Sequence, residues 1–268
     1  MSSQPIFQNP PDALNLSSTI TWGKNVVFGP NCRSVEIGFG SFIGNDVYID
    51  VEHLKIGDYF TVHHGSVLHG EKIEIGHNTW VGHYSILDGL GGLLRLGNNI
   101  GIGAHSQLWT HMKFGDVLDG CQWNTKGKLL IGDDAWIVGH GIVSPIEMGS
   151  RAMLLAGSVA TSHIPAGRTF AGTPAKDITA KFGAQFGETP SKESRLRNFK
   201  ELLRAFEKTG CDAGFVEVSE MSLFEGSDSK TFFDLEARVY QPRYTAEERA
   251  LMKFLLYEKA KFVPCQSG

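Results

Sequence analysis

Four cysteines in 268 residues, at Cys32, Cys121, Cys211 and Cys265 with no CxxC pair, do not make a disulfide framework. They read as reduced, mostly buried thiols, and Cys121 as inert. Basic charge is also sparse. Against 29 acidic residues stand 25 lysines and arginines, a net charge of −4 with no basic run. Nucleic acids and anionic membranes therefore have no electrostatic footprint to bind. No window approaches the roughly 20 uninterrupted apolar residues of a spanning helix. The opening MSSQPIFQNPPDALN has no charged segment followed by an apolar one, so no secretory leader is expected there. These absences point to a soluble, cytoplasmic protein of one large domain or two modest ones.

Glycine, by contrast, is abundant: 32 residues, few of them in the last third. An aliphatic residue, often followed by glycine, recurs at Ile37, Ile43, Ile49, Ile56, Val62, Leu68, Ile75, Val81, Leu87, Leu96, Ile102 and Leu108. Steps of six or seven residues, with one of nine, fit neither the helical period of 3.6 nor the strand period of 2. Taken three at a time, they span 19 residues from Ile37 to Ile56, 19 from Ile56 to Ile75 and 21 from Ile75 to Leu96. Three short flat segments with a corner after each make a triangular coil of about that length, and stacked coils pair their strands in parallel. The aliphatic residue points into the prism. Glycine, asparagine or aspartate at the corners of IGDYFT, IGHNTW, LGNNIG, IGIGAH and IGDDAW tolerates the positive φ of a tight turn. The expectation is a mainly β fold, a left-handed parallel β-helix of about seven to eight coils over 18–178. A β-sandwich of short strands is the bland alternative.

The register fails between Leu108 and Ile131, so residues 109–130 should loop out of the coil. A long insertion in a repetitive scaffold is commonly functional. The texture changes after Lys176, and 179–268 reads as a small α/β appendage. Thr189-Pro190 looks like an N-cap and first turn for a helix ended by Gly210, with Leu196, Phe199, Leu202, Leu203 and Phe206 on one face. FVEVSE and FFDLEARVY alternate like half-buried strands. Thr245 and Glu248 form a capping box for a second helix through about Lys261.

The hexads, the looped-out WTHM segment and the tail AGTPAK resemble the hexapeptide-repeat acyltransferases, the superfamily of galactoside, maltose and serine acetyltransferases. The stretch ILDGLGGLLRLGNNIGIGAHSQLWTH is most similar to the sugar-modifying members. The likeness covers about 18–178 and leaves out the appendage. It implies transfer from acetyl-CoA or another acyl-CoA to a hydroxyl or amino group of a sugar or nucleotide sugar, with no metal, in a homotrimer. His111 stands where the family keeps its catalytic base. An imidazole with a pKa near 6.5 can take the acceptor's proton at neutral pH. Carried over by motif, Trp136 and Gly139 of IGDDAWIVGHG, Ala156, Thr161 and Ser162 of LLAGSVATSHIP, and Gly172 and Lys176 of AGTPAK would bind coenzyme A. The sequence departs from the common VTKDIP pattern at ATSHIP, with Ser162 in place of lysine; His163 or Arg168 is the candidate compensation. His83 and Asp88 are candidates to line the acceptor pocket, Asp88 also to orient an imidazole.

Two rival readings stand beside this one. TVHHGSVLHG resembles the γ-class carbonic anhydrases, with His64, His69 and Asp50 as zinc ligands, although that family's usual third histidine is missing. The other is a structural or sensor prism without activity.

Overall fold

A computed structural model describes residues 4–113, 115–122, 124–219 and 229–265, which form two compact units, Met1–Gly187 and Glu188–Gly268. The first is the anticipated parallel β-solenoid. One face is a nine-stranded sheet. Eight of its strands stack in parallel from Thr21–Trp22 to Thr169–Gly172, and the ninth, Ala175–Asp177, returns antiparallel. The other two faces share a 12-stranded sheet, because the long strands Tyr48–Ile56, Val67–Ile75 and Ile86–Leu96 bend across the corner between them. The solenoid strands begin at Ile6–Phe7, paired with Val27–Phe28, and not near residue 18. The inward residues of this first coil, Phe7 and Leu16, are only partly buried against the core, and they stand outside the hexad series.

All twelve residues of the hexad series are buried at 4% exposure or less, stacked coil upon coil into one core. Parallel pairing at about 4.8 Å per coil brings equivalent side chains into van der Waals contact. The corners follow the chemistry of their residues. Asn78, Asn99 and Asp134 all take positive φ, and their side chains form a ladder: Asn78 Nδ2 donates to Asn99 Oδ1 (2.9 Å) and Asn99 Nδ2 to Asp134 Oδ1 (3.0 Å).

The chain leaves the coil after Thr110 as a hairpin in which His111–Lys113 pairs antiparallel with Asn124–Lys126, and it is back in the coil by Leu129, which pairs Leu94, so the loop is shorter than 109–130. Of the cysteines, only Cys32 is buried; the other three are partly exposed, Cys121 on the hairpin among them.

In the second unit the helix Lys192–Glu207 is capped by Ser191, whose hydroxyl accepts the Ser194 N–H (3.3 Å), so Pro190 precedes the cap instead of opening the helix. Phe199 and Phe206 are its buried residues. FFDLEARVY is not one strand. Asp234 Oδ1 accepts the N–H of Glu236 and Ala237 and turns Thr231–Asp234 back onto Val239–Tyr240. The last helix, Ala246–Leu255, has the expected Thr245 cap but stops short of Lys261. Glu248 is wholly buried. Its carboxylate accepts the N–H of Arg243 and Tyr244 and the Thr231 hydroxyl, so it organises the chain before the helix rather than closing a reciprocal capping box.

Candidate active site

The corner that follows Gln107–Leu108 is where the coil releases the hairpin, and it carries Trp109, Thr110 and His111. Directly beneath, in the preceding coil, Ile86–Leu96 pairs Leu87 with Leu108, which places Asp88 under this corner. Asp88 is fully buried. Its Oδ1 accepts the Thr110 N–H (3.1 Å), the Thr110 hydroxyl (2.9 Å) and His111 Nδ1 (2.8 Å). A carboxylate can only accept here, so the His111 proton sits on Nδ1 and Nε2 keeps its lone pair. The His111 side chain is 17% exposed, with the Trp109 indole edge-on to its ring (5.9 Å between centroids). The result is an imidazole with fixed tautomer and orientation, and with a charge partner for the imidazolium it becomes on taking a proton.

The strand beneath is shaped for this contact. Ile86–Leu96 shifts register between Gly89 and Leu93, a bulge in the stretch LDGLGGL. Gly91 N–H donates to the Thr110 hydroxyl (2.8 Å), and a Cβ on Gly91 would overlap the Thr110 carbonyl. Gly91, Thr110 and Asp88 therefore form one relay of hydrogen bonds that ends at His111. Thr110 and Gly91 carry no motif that marks them in the sequence; the glycine run is the nearest signal. Asp88 joins His111 and His83 does not. His83 lies on a different corner, with His63 and His64.

There the ligand-capable nitrogens of His63, His64 and His83 lie within 4.8 Å of one another. Burial and the two neighbouring imidazoles lower the pKa of His63. The Nδ1 of His64 already accepts the Asn45 N–H (2.6 Å), which places the proton of its neutral ring on Nε2 and removes that lone pair from metal binding. The zinc set His64, His69 and Asp50 does not come together among the described residues. Asp50 accepts the backbone N–H and Nδ2 of Asn31 (2.9 and 2.8 Å), and His69 Nε2 faces Asp88 Oδ2 (3.3 Å). With the carboxylate and one histidine committed elsewhere, these residues do not fit a zinc ion.

No family model matches the chain. Among curated proteins it is similar to the bifunctional protein GlmU of Pseudoalteromonas atlantica, 29% identical over 168 residues, which is 56% of this chain and 34% of that one. GlmU of Listeria welshimeri is 26% identical over 139 residues, 47% of this chain and 26% of its own. The chain thus spans about a third or less of the length of these relatives. Among solved structures, the polysialic acid O-acetyltransferase OatWY matches with a TM-score of 0.53 at 18% identity, over 71% of this chain and 94% of that one, and shares the fold. The chain shares the parallel β-solenoid fold of that acetyltransferase.

The solenoid arranges five of the remaining expected residues along two edges. Gly139, Ala156 and Gly172 fall at one corner in successive late coils, where Gly172 N–H donates to Ser158 Oγ (3.0 Å). Thr161 and Ser162, both exposed, share the His111 corner two coils on, about 10 Å along the prism. The strands Ile142–Val143 and Val159–Ala160 run between these two edges, so both rows border one face with His111 at its margin. Trp136 stands apart at the start of the nine-stranded face, exposed, with its indole over Gly101. Lys176 is exposed on the returning strand Ala175–Asp177. The proposed compensations for Ser162 are partly engaged: His163 Nδ1 accepts the Glu147 N–H (2.9 Å), and Arg168 lies 3.9 Å from Asp177.

Proposed function

We propose that this protein transfers an acyl group, acetyl in the first instance, from coenzyme A to a hydroxyl or amino group of a sugar or nucleotide sugar, with His111 as general base. The observation that carries this reading is the hydrogen bond from His111 Nδ1 to the buried Asp88. It leaves Nε2 as a lone-pair base at the place where the coil opens. In the reaction the acceptor's O–H or N–H proton passes to Nε2 as its oxygen or nitrogen bonds to the thioester carbonyl carbon. The tetrahedral adduct then expels the thiolate of coenzyme A, which takes the proton back from the imidazolium. Asp88 offsets the positive charge of that imidazolium, and no covalent enzyme intermediate is required.

The acyl donor lies along the face between the Gly139, Ala156 and Gly172 edge and the Thr161 and Ser162 edge, where small side chains let its pantetheine arm approach the backbone. Trp136 and Lys176 contact its outer end, Lys176 through a phosphate. A homotrimer completes each site, with His111 of one chain meeting donor held partly by the next. The names of the relatives support the substrate class: OatWY is a polysialic acid O-acetyltransferase, and GlmU provides the sequence match. The test is thiol release from acetyl-CoA in the presence of hydroxyl sugars, amino sugars and their nucleotide forms. His111→Ala should slow the chemical step by roughly 10²–10⁴-fold, the weight of a general base. A loss below threefold would remove His111 from that role.

A further inference from the structure

Asp88 has two oxygens, and the mechanism uses one. Thr110 and His111 occupy Oδ1. Among the described residues Oδ2 accepts no aligned hydrogen bond although it is buried; its contact is Nε2 of His69, 3.3 Å away. His69 reaches this place by register, since Val67–Ile75 pairs its His69 with Asp88 of the next coil. The carboxylate therefore stands between two imidazoles stacked along the prism, His69 below and His111 above.

We propose that His69 is a positioning residue for the acyl-transfer site, donating Nε2–H to Asp88 Oδ2 so that Oδ1 stays charged and aimed at His111. The inference rests on the reading of His111 as the base. A lone pair on His69 Nε2 would repel the carboxylate, so that nitrogen carries the proton. The long, poorly aligned contact is of the kind that tightens when a catalytic site is occupied. A buried carboxylate oxygen without a donor is costly. Without His69, nothing holds Oδ2 in place, Asp88 can turn Oδ1 away, and His111 loses the acceptor that fixes its tautomer. His69 is 28% exposed, so it also links the buried carboxylate to the surface of the prism.

The experiment reads the tautomer directly. Nitrogen-15 NMR of the imidazoles in the full-length protein, recorded where the rings are neutral, should show wild-type His111 protonated on Nδ1. His69→Leu should turn that signal into a mixture of tautomers, and His69→Gln, whose amide N–H can reach Oδ2, should restore it. Should the leucine variant not fold, His69→Asn replaces it, being too short to reach Oδ2. With acetyl-CoA and a working acceptor, His69→Leu should lower kcat roughly 10- to 100-fold at unchanged KM for acetyl-CoA, the weight of partners that orient a working imidazole. An unaltered His111 tautomer in His69→Leu, or in His69→Asn where that is used, overturns the proposal whatever happens to kcat. The NMR needs no substrate, so a protein that transfers no acyl group would refute the proposed function while the tautomer still decides the role of His69.

Discussion

At the scale of single residues, two buried carboxylates have opposite tasks. Asp88 holds an imidazole, and its replacement by asparagine keeps the shape but presents either an amide N–H or a weaker acceptor to His111 Nδ1. Asp88→Asn should lower kcat on the order of 10²-fold or more, through the wrong tautomer, with the thermal midpoint little changed; steady-state kinetics beside a melting curve check both. Glu248 instead holds a chain turn, and burial pushes its pKa above the ordinary 4.5. Between the two values the native state binds more protons than the unfolded chain. Stability is thus greatest below the ordinary value and falls as pH rises through the raised one. Urea unfolding of the wild type and of Glu248→Gln across pH 4–8 should show the difference between them shrinking or reversing in that direction. Of these residues, His111 was legible because it sits at the break of a twelve-fold register. Asp88 was half legible, since an aspartate before glycine reads equally well as a turn. Thr110 and Gly91 were not legible, because hydrogen bonds across coils leave no trace in local sequence.

At the scale of elements, the strand Ile86–Leu96 supports the site from below, and its glycines set how closely the next coil can approach. Gly91→Ala would drive a methyl group into the Thr110 carbonyl. Overpacking of this kind costs about 1–3 kcal/mol, and here it would also displace the Thr110 relay, so activity should fall by more than the unfolding midpoint suggests. Denaturant titration and thiol-release kinetics on the same preparation separate the two. The hexads located their strands because burial every sixth residue is a period that only a coiled prism explains. The appendage was less legible. Its helix faces were readable from 3.6-residue spacing, but the fold-back within FFDLEARVY depends on two backbone N–H groups finding Asp234.

For the whole molecule, the described residues contain no helix long and apolar enough to cross a membrane. Five of the seven residues expected to bind the donor lie along two parallel edges that border one face, with Trp136 and Lys176 apart from them, a layout suited to an extended ligand held between neighbouring prisms. Sedimentation at micromolar concentration should therefore give a trimer. A stable monomer with full activity would exclude a shared site and confine the donor to one prism.

Sequence by itself determined the coil. A repeated inward aliphatic, with corner residues that accept positive φ, leaves the chain few other ways to bury its apolar side chains, and each repeat restates the instruction. Which polar groups meet at one corner was decided only by stacking. His69, Asp88 and His111 are each separated from the next by about one coil's length of chain and become neighbours because parallel register places them one above another. That proximity belongs to no single repeat, and so no repeat could announce it.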